Sequence, residues 1–298
     1  MNKKKYVNRN YLTTTRIIAL GFLITVIVGT ILLSLPIASA NGTWTDLLTA
    51  AFTSTTSVCV TGLVVVDTFS YWSLFGKGVI LILIQIGGLG IVSIITLFML
   101  LLRMKITLKS TMLLQDAFNL NSKQGLLKFT IKVIKGTFLI EGIGALIYSF
   151  YYCIEYGFLK GIWFSVFHAV SAFCNAGIDI MGADSLISYH SNLLMMLNTS
   201  FLIIMGGIGF IVWWDTVEAF RRIRTKRCSI RSAWNGVHLQ TKIAIFMTLL
   251  LLIGGTIVIY FLERSNPDTL GNLSEKDRIL NAFFQSVTFR TAGFAAVS

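Results

Sequence analysis

Five long apolar runs set the strongest limit on what this chain can fold into: Ile17–Ser39, Gly78–Leu102, Phe129–Cys153, Leu193–Trp214 and Leu239–Leu262. Each reaches the ~20 residues that a helix needs to cross a bilayer. Lipid cannot hydrogen-bond a bare backbone, so a span of this kind must satisfy its own amides and carbonyls as a helix. The expectation is an all-α membrane protein. Composition agrees, with 55% hydrophobic and 13% charged residues, where soluble domains carry about 25% charged.

The net charge of +12 would suit nucleic acid, but its placement argues against it. Lys3, Lys4, Lys5, Arg9 and Arg16 precede or open the first span. Arg103, Lys105, Lys109, Lys123, Lys128, Lys132 and Lys135 lie between the second and third, and Arg221, Arg222, Arg224, Lys226, Arg227, Arg231 and Lys242 between the fourth and fifth. Five alternating helices put these segments on one side, and most acids on the other, including Asp46, Asp67, Glu155, Asp179, Asp184, Asp268, Glu275 and Asp277. This is the positive-inside pattern of a multi-pass cell-membrane protein with a cytoplasmic N-terminus, and no nucleic-acid partner is expected. Ala38-Ser39-Ala40 resembles a signal cleavage site, but the apolar stretch before it exceeds the ~7–15 residues of a secretory core, so the helix is read as retained. Cys59, Cys153, Cys174 and Cys228 show no metal spacing, and no disulfide framework or resident metal is expected.

Internal similarity organises the chain. Three segments align without gaps on a glycine: Phe52 stands ten residues before Gly62, Phe167 ten before Gly177 and Phe283 ten before Gly293. The glycines are 115 and 116 residues apart, as duplication would produce. Each copy runs from a basic segment through an apolar span and a short helical stretch to the glycine. In two copies a further span carries Gly87-Gly88-Leu89-Gly90 or Gly206-Gly207-Ile208-Gly209. The units are predicted as 1–125, 126–237 and an incomplete 238–298. The short stretches, about Thr45–Ser57, Lys160–Ala172 and Glu275–Thr288, reach roughly 20 Å, too little for a ~30 Å hydrocarbon core. Charge sidedness returns each to the side on which it began, so they are predicted to be re-entrant half-helices.

Each half-helix leads into a turn: Cys59-Val60-Thr61-Gly62, Cys174-Asn175-Ala176-Gly177 or Arg290-Thr291-Ala292-Gly293. Glycine tolerates positive φ, which lets successive carbonyls face one way, and the C-terminal end of the half-helix dipole is negative. Carbonyl rings of this kind replace the water shell of a dehydrating cation. These twelve residues are the candidate ion-binding set, acting mainly through backbone carbonyls.

Val60-Thr61-Gly62-Leu63, Asn175-Ala176-Gly177 and Arg290-Thr291-Ala292-Gly293-Phe294 resemble the pore loops of the Trk/Ktr/HKT superfamily of potassium transporters, and the Gly-Gly-X-Gly spans fit as well. The likeness covers the whole chain, closest to the ion-translocating membrane subunits of bacterial Ktr systems. It implies four membrane–pore-loop–membrane repeats around a pseudo-fourfold axis, of which three are present here and the third is incomplete. It implies potassium uptake with sodium dependence left open, no cofactor, homodimers, and a cytosolic nucleotide-binding regulatory subunit. Against the superfamily pattern, Cys59 replaces a hydroxyl residue, and Cys174 and Ile178 replace Asn and Phe. Ser298 follows Gly293 by five residues, so a truncated chain that does not conduct alone is expected.

Other residues carry weaker signals. The Gly-Gly-X-Gly segments read as close-packing positions ahead of a hinge or gate. Glu141, about 9 Å inward of Lys135 by helix rise, is an intramembrane carboxylate and so a functional suspect, but it is near enough to the cytoplasmic edge to reach a basic partner, which favours a structural role. Asp67, Asp179 and Asp184 follow the turns and either concentrate cations or sit as solvated loop charge. Arg290 is expected to anchor its loop by hydrogen bonds, and His168 to be a packed, bonded core residue. Topology alone accounts for the basic loops ahead of a second use, in which the density at Arg221–Arg231 and Lys123–Lys135 would bind anionic lipid heads or an acidic cytosolic partner. An intramembrane enzyme would need a paired acid, a Ser/His pair or a metal-binding helix, none of which is evident. A scaffold or receptor would leave the spaced turns unexplained.

Overall fold

The computed structural model describes residues 14–90, 93, 94, 96, 126–182, 185–226 and 229–297. The basic residues before 14 and from 103 to 123, with Asp184, Arg227 and Cys228, lie outside that set, as does most of the second run beyond Gly90. Eleven α-helices follow in order among the described residues: α1 Thr14–Ser34, α2 Leu47–Cys59, α3 Thr68–Tyr71, α4 Leu74–Leu89, α5 Leu126–Tyr156, α6 Phe158–Phe173, α7 Leu193–Gly207, α8 Phe210–Lys226, α9 Ile230–Asn235, α10 Leu239–Glu263 and α11 Glu275–Thr291. No strand occurs among them; the only extended pairing is an isolated bridge between Ser39 and Trp72. The protein is an all-α membrane protein.

By length and hydropathy α1, α5 and α10 can each cross a bilayer, and α7 with α8 forms a bent pair that passes the same test together. The apolar side chains of α1 and α10 point largely outward, as Leu23, Ile24, Ile27, Ile31, Phe246, Leu250 and Ile257 show. In water that would be an inverted protein; in lipid it is the expected face.

The short helices sit between the long ones. α2 packs against α1 and α4, α6 against α5, α7 and α4, and α11 against α10 and α7. They start close to the expected positions and run slightly further, to Cys59, Phe173 and Thr291. Asp46 caps α2 through the Leu48 and Thr49 amides, and Ser274 caps α11 through the Asp277 amide. Between α5 and α6 the chain reverses on Gly157, at φ +81°. Gly161 then lies against the Tyr152 and Cys153 backbone, where no Cβ would fit. The buried core centres on this middle pair: Phe167, Ile178, Ile180, Tyr148 and Tyr152, with Phe284 and Phe294 from the last segment.

Candidate functional site

The three glycine turns converge. A Cβ on Gly62 would lie 2.7 Å from the Ala176 carbonyl oxygen and 3.3 Å from that of Ala292, and one on Gly177 would overlap the Ala292 oxygen. Residues 230 positions apart in sequence thus present backbone to backbone, at φ +75°, +65° and +82° for Gly62, Gly177 and Gly293. Val60 and Asn175, two residues before their glycines, are also left-handed, at φ 56° and 60°. For a β-branched valine that conformation is strained. Its methyl meets Gly87, where a Cβ would lie 2.9 Å away.

A hydroxyl on each short helix holds the segment that leaves the turn. Thr56 Oγ1 accepts from the Leu63 amide at 3.0 Å, Ser171 Oγ donates to the Ile178 carbonyl at 2.5 Å, and Thr288 Oγ1 donates to the Phe294 carbonyl at 3.0 Å. The same three residues accept, through their carbonyls, the amides five positions on: Thr61, Ala176 and Gly293. The sequence reading missed these hydroxyls, although Thr or Ser inside an apolar half-helix is the signal that could have found them.

Those contacts also correct the gapless alignment. Thr56 and Ser171 precede their glycines by six residues, and Thr288 precedes Gly293 by five. Phe284, not Phe283, is therefore the fully buried counterpart of Phe167. With one residue fewer, the third turn has a single left-handed residue, and Ala292 stays near helical at φ −100°. Arg290 and Thr291 belong to the last turn of α11.

The two Gly-Gly-X-Gly segments divide their work by position. Gly87 and Gly206 abut the Val58 and Phe173 carbonyls of the adjacent half-helix, leaving no room for a Cβ. Gly88 and Gly207 face the next turn around, meeting Cys174 and Arg290 respectively. The last glycines, Gly90 and Gly209, take φ +78° and +96°, with no described atom near the Cβ position of either. Close packing is thus the role of the first pair. The final glycine breaks the helix: Leu193–Trp214, expected as one span, is bent by 100° between α7 and α8. The Trp213 indole N–H donates to the Met205 carbonyl at 2.8 Å across the bend, replacing a lost helical bond.

Charges surround the turns unequally. A cavity of about 360 Å³ opens on Gly62, Gly177 and Gly293 and is walled by Val64, Asp67, Asp179 and Ser185. Both carboxylates also hold loops: Asp67 accepts from Phe69 and Ser70, Asp179 from the Met181 amide and the Ser185 hydroxyl. Partial burial works to raise the Asp67 carboxyl, but its hydrogen bonds, aided by Lys77, outweigh that and hold it below the ordinary value. Glu141 is buried, and among the described residues its carboxylate takes the Gln85 amide at 3.0 and 3.3 Å, with the Cys174 thiol 4.0 Å away. Gln85, unmarked in the sequence reading, lies on α4 behind the second turn. Arg290 departs from expectation: Nη1 is buried with no hydrogen-bond partner among the described residues, and Nη2 faces Gly207. His168 is buried as expected, Nδ1 against the Phe164 carbonyl at 2.9 Å. Cys59, Cys153 and Cys174 are free thiols.

Short apolar helices wedged between longer ones that can span a bilayer, and ending in glycine turns that meet backbone to backbone, define a polytopic all-α membrane protein. The chain belongs to the TrkH family of cation transport proteins, matched over residues 3–298. It is 41% identical over 289 residues to the potassium/sodium uptake protein NtpJ of Enterococcus hirae, covering 97% of this chain and 61% of that protein. To the Ktr system potassium uptake protein B of Bacillus subtilis it is 39% identical over 295 residues, covering 99% of this chain and 63% of that protein. The Vibrio alginolyticus protein of the same name is 34% identical over 282 residues, covering 95% and 59%. The chain thus spans about three fifths of the length of these relatives.

Proposed function

We propose that this chain supplies three of the segments that line a potassium uptake pathway, and that the twelve turn residues from Cys59, Cys174 and Arg290 to their glycines bind the ion through backbone carbonyls. The convergence of Gly62, Gly177 and Gly293 on one another and on the Ala176 and Ala292 oxygens carries this reading. Carbonyl dipoles clustered at one point favour a dehydrating cation and repel an anion. The vestibule with Asp67 and Asp179 on its wall supports entry from that side, because fixed negative charge raises the local cation concentration. Passage needs no bond chemistry, so the chain is a carrier or channel segment and not an enzyme. Sodium is a second candidate ion, since one relative is named for both ions.

The finer architecture belongs to the same proposal: units at 1–125, 126–237 and 238–298, an N-terminus on the cytoplasmic side of the cell membrane, assembly as a homodimer, and a nucleotide-binding regulatory partner. Two relatives are components of a named Ktr system, which supports a multi-subunit assembly. The test is growth of a potassium-uptake-deficient bacterium at limiting potassium, complemented by the complete gene product carrying this sequence. Gly62→Ser or Gly177→Ser is expected to abolish rescue or relax preference for potassium over sodium. Unchanged growth and ion preference in both would remove the assignment.

A further inference from the structure

The bend at Gly209 has a second consequence at the membrane edge. Beneath it lies an apolar cavity of about 400 Å³, lined among others by Gly136, Leu139, Ile140, Trp214, Val217 and Ile245. Helix rise fixes its depth. Tyr156 ends α5 on the acid-rich side, so Leu139 and Ile140 lie about 25 Å below that end and Lys132 about 36 Å. The hydrocarbon core is ~30 Å thick. The cavity therefore occupies the inner leaflet, and Lys132 stands at headgroup level.

Polar groups frame the mouth. Lys132 shares a helical face with Gly136, Leu139 and Ile140, and its ammonium sits 5.3 Å over the Trp214 ring. On α8, Arg221 follows Val217 by one turn; both are exposed, and Arg221 lies 3.9 Å from the half-exposed Glu218 carboxylate, a loose surface pair that a lipid phosphate would displace. Because α8 is turned by 100° from α7, it runs roughly along the membrane surface. Exposed Val217, Phe220, Arg221 and Arg224 share one stripe of α8, so the arginine stems lie on apolar surface and their heads reach toward the headgroups.

We infer that this cavity is a binding site for one anionic phospholipid, its acyl chain lying in the cavity below the bend and its phosphate held by Lys132 and Arg221. An apolar slot open toward lipid at Leu139, which is 64% exposed, suits a chain. Basic residues at the rim of a cavity between membrane helices select an anionic head. A zwitterionic lipid would fill the same slot without that selection.

Native mass spectrometry of the purified 298-residue chain, exchanged from mixed phosphatidylglycerol and phosphatidylcholine of identical chains, tests the site. Phosphatidylglycerol is expected to be retained about 25-fold over phosphatidylcholine. Lys132→Gln and Arg221→Gln are each expected to cut that preference about fivefold. Gly136→Leu, and independently the exposed Leu139→Trp, should reduce retention of both lipids. Equal retention of the two lipids, or a preference that survives both charge changes, overturns the site. So does retention untouched by Leu139→Trp in a chain that is folded. Capture of a soluble polyglutamate by the same two cations without any lipid preference would also overturn it, assigning the charges to an acidic protein.

Discussion

Replacing Gly177 by alanine places the heaviest load on the turn geometry. At φ +65° a residue with a Cβ carries a left-handed penalty of about 1–2 kcal/mol. The new methyl would also overlap the Ala292 carbonyl oxygen, and forcing such a group into a packed site costs about 1–3 kcal/mol. Together these predict about 2–5 kcal/mol against the native turn, a loss of roughly 30-fold to several thousand-fold in its population. Gly142→Ala is the matched control: this glycine lies in α5 with open space at its Cβ position and no positive φ, so alanine should be neutral or stabilising by up to about 1 kcal/mol. Both variants would be expressed in the complete gene product, with membrane yields compared, and scored for initial potassium uptake and potassium-over-sodium preference. Gly177→Ala should lose uptake or preference while Gly142→Ala behaves as wild type. Indistinguishable variants would refute the claim that backbone contact between turns shapes the pathway.

Further outcomes follow from other contacts. Ser171→Ala strands the buried Ile178 carbonyl and should lower stability by about 1–3 kcal/mol, read as a drop in melting temperature of the purified chain, with Ser171→Thr retaining more of it. Gln85→Leu leaves the Glu141 carboxylate with no amide donor and should destabilise by about 1–3 kcal/mol or more. In the paired variant Gln85→Glu/Glu141→Gln the donor and acceptor exchange places, and partial recovery is expected in the same melting assay. Asp67→Asn should weaken potassium uptake at low ionic strength and much less at high salt, because the attraction is screened over about 10 Å at 0.1 M. Since the folded Asp67 carboxyl lies below its ordinary value of 3.8, its stabilising contribution is complete above that pH. It is lost as pH falls through the lower folded value, so Asp67→Asn should flatten the acid limb of a melting curve.

Much of this organisation was legible in the one-dimensional pattern. Run length marks α1, α5 and α10 as long enough to span, and the spaced glycines mark the turns, because both reflect constraints that act locally: helix rise against membrane thickness, and the absence of a Cβ. The limits of that pattern are equally specific. Aligning the third segment on Gly293 pairs Phe283 with Phe167, whereas the hydroxyl bonds and burial pair Phe284 and shorten the turn by one residue. An apolar run from Leu193 to Trp214 reads as one helix, because hydropathy does not register that Gly209 adopts φ +96°.

The sequence by itself determined that the chain is helical, lies in the membrane and carries three glycine-centred turns, since those features depend on residue type and spacing alone. Only the tertiary structure decided which groups meet: the Ala176 and Ala292 oxygens at Gly62, Gln85 at Glu141, and Cys174 and Arg290 at the paired glycines. Such contacts join residues far apart in the chain, and they are selected by packing between helices whose facing sides no single segment specifies.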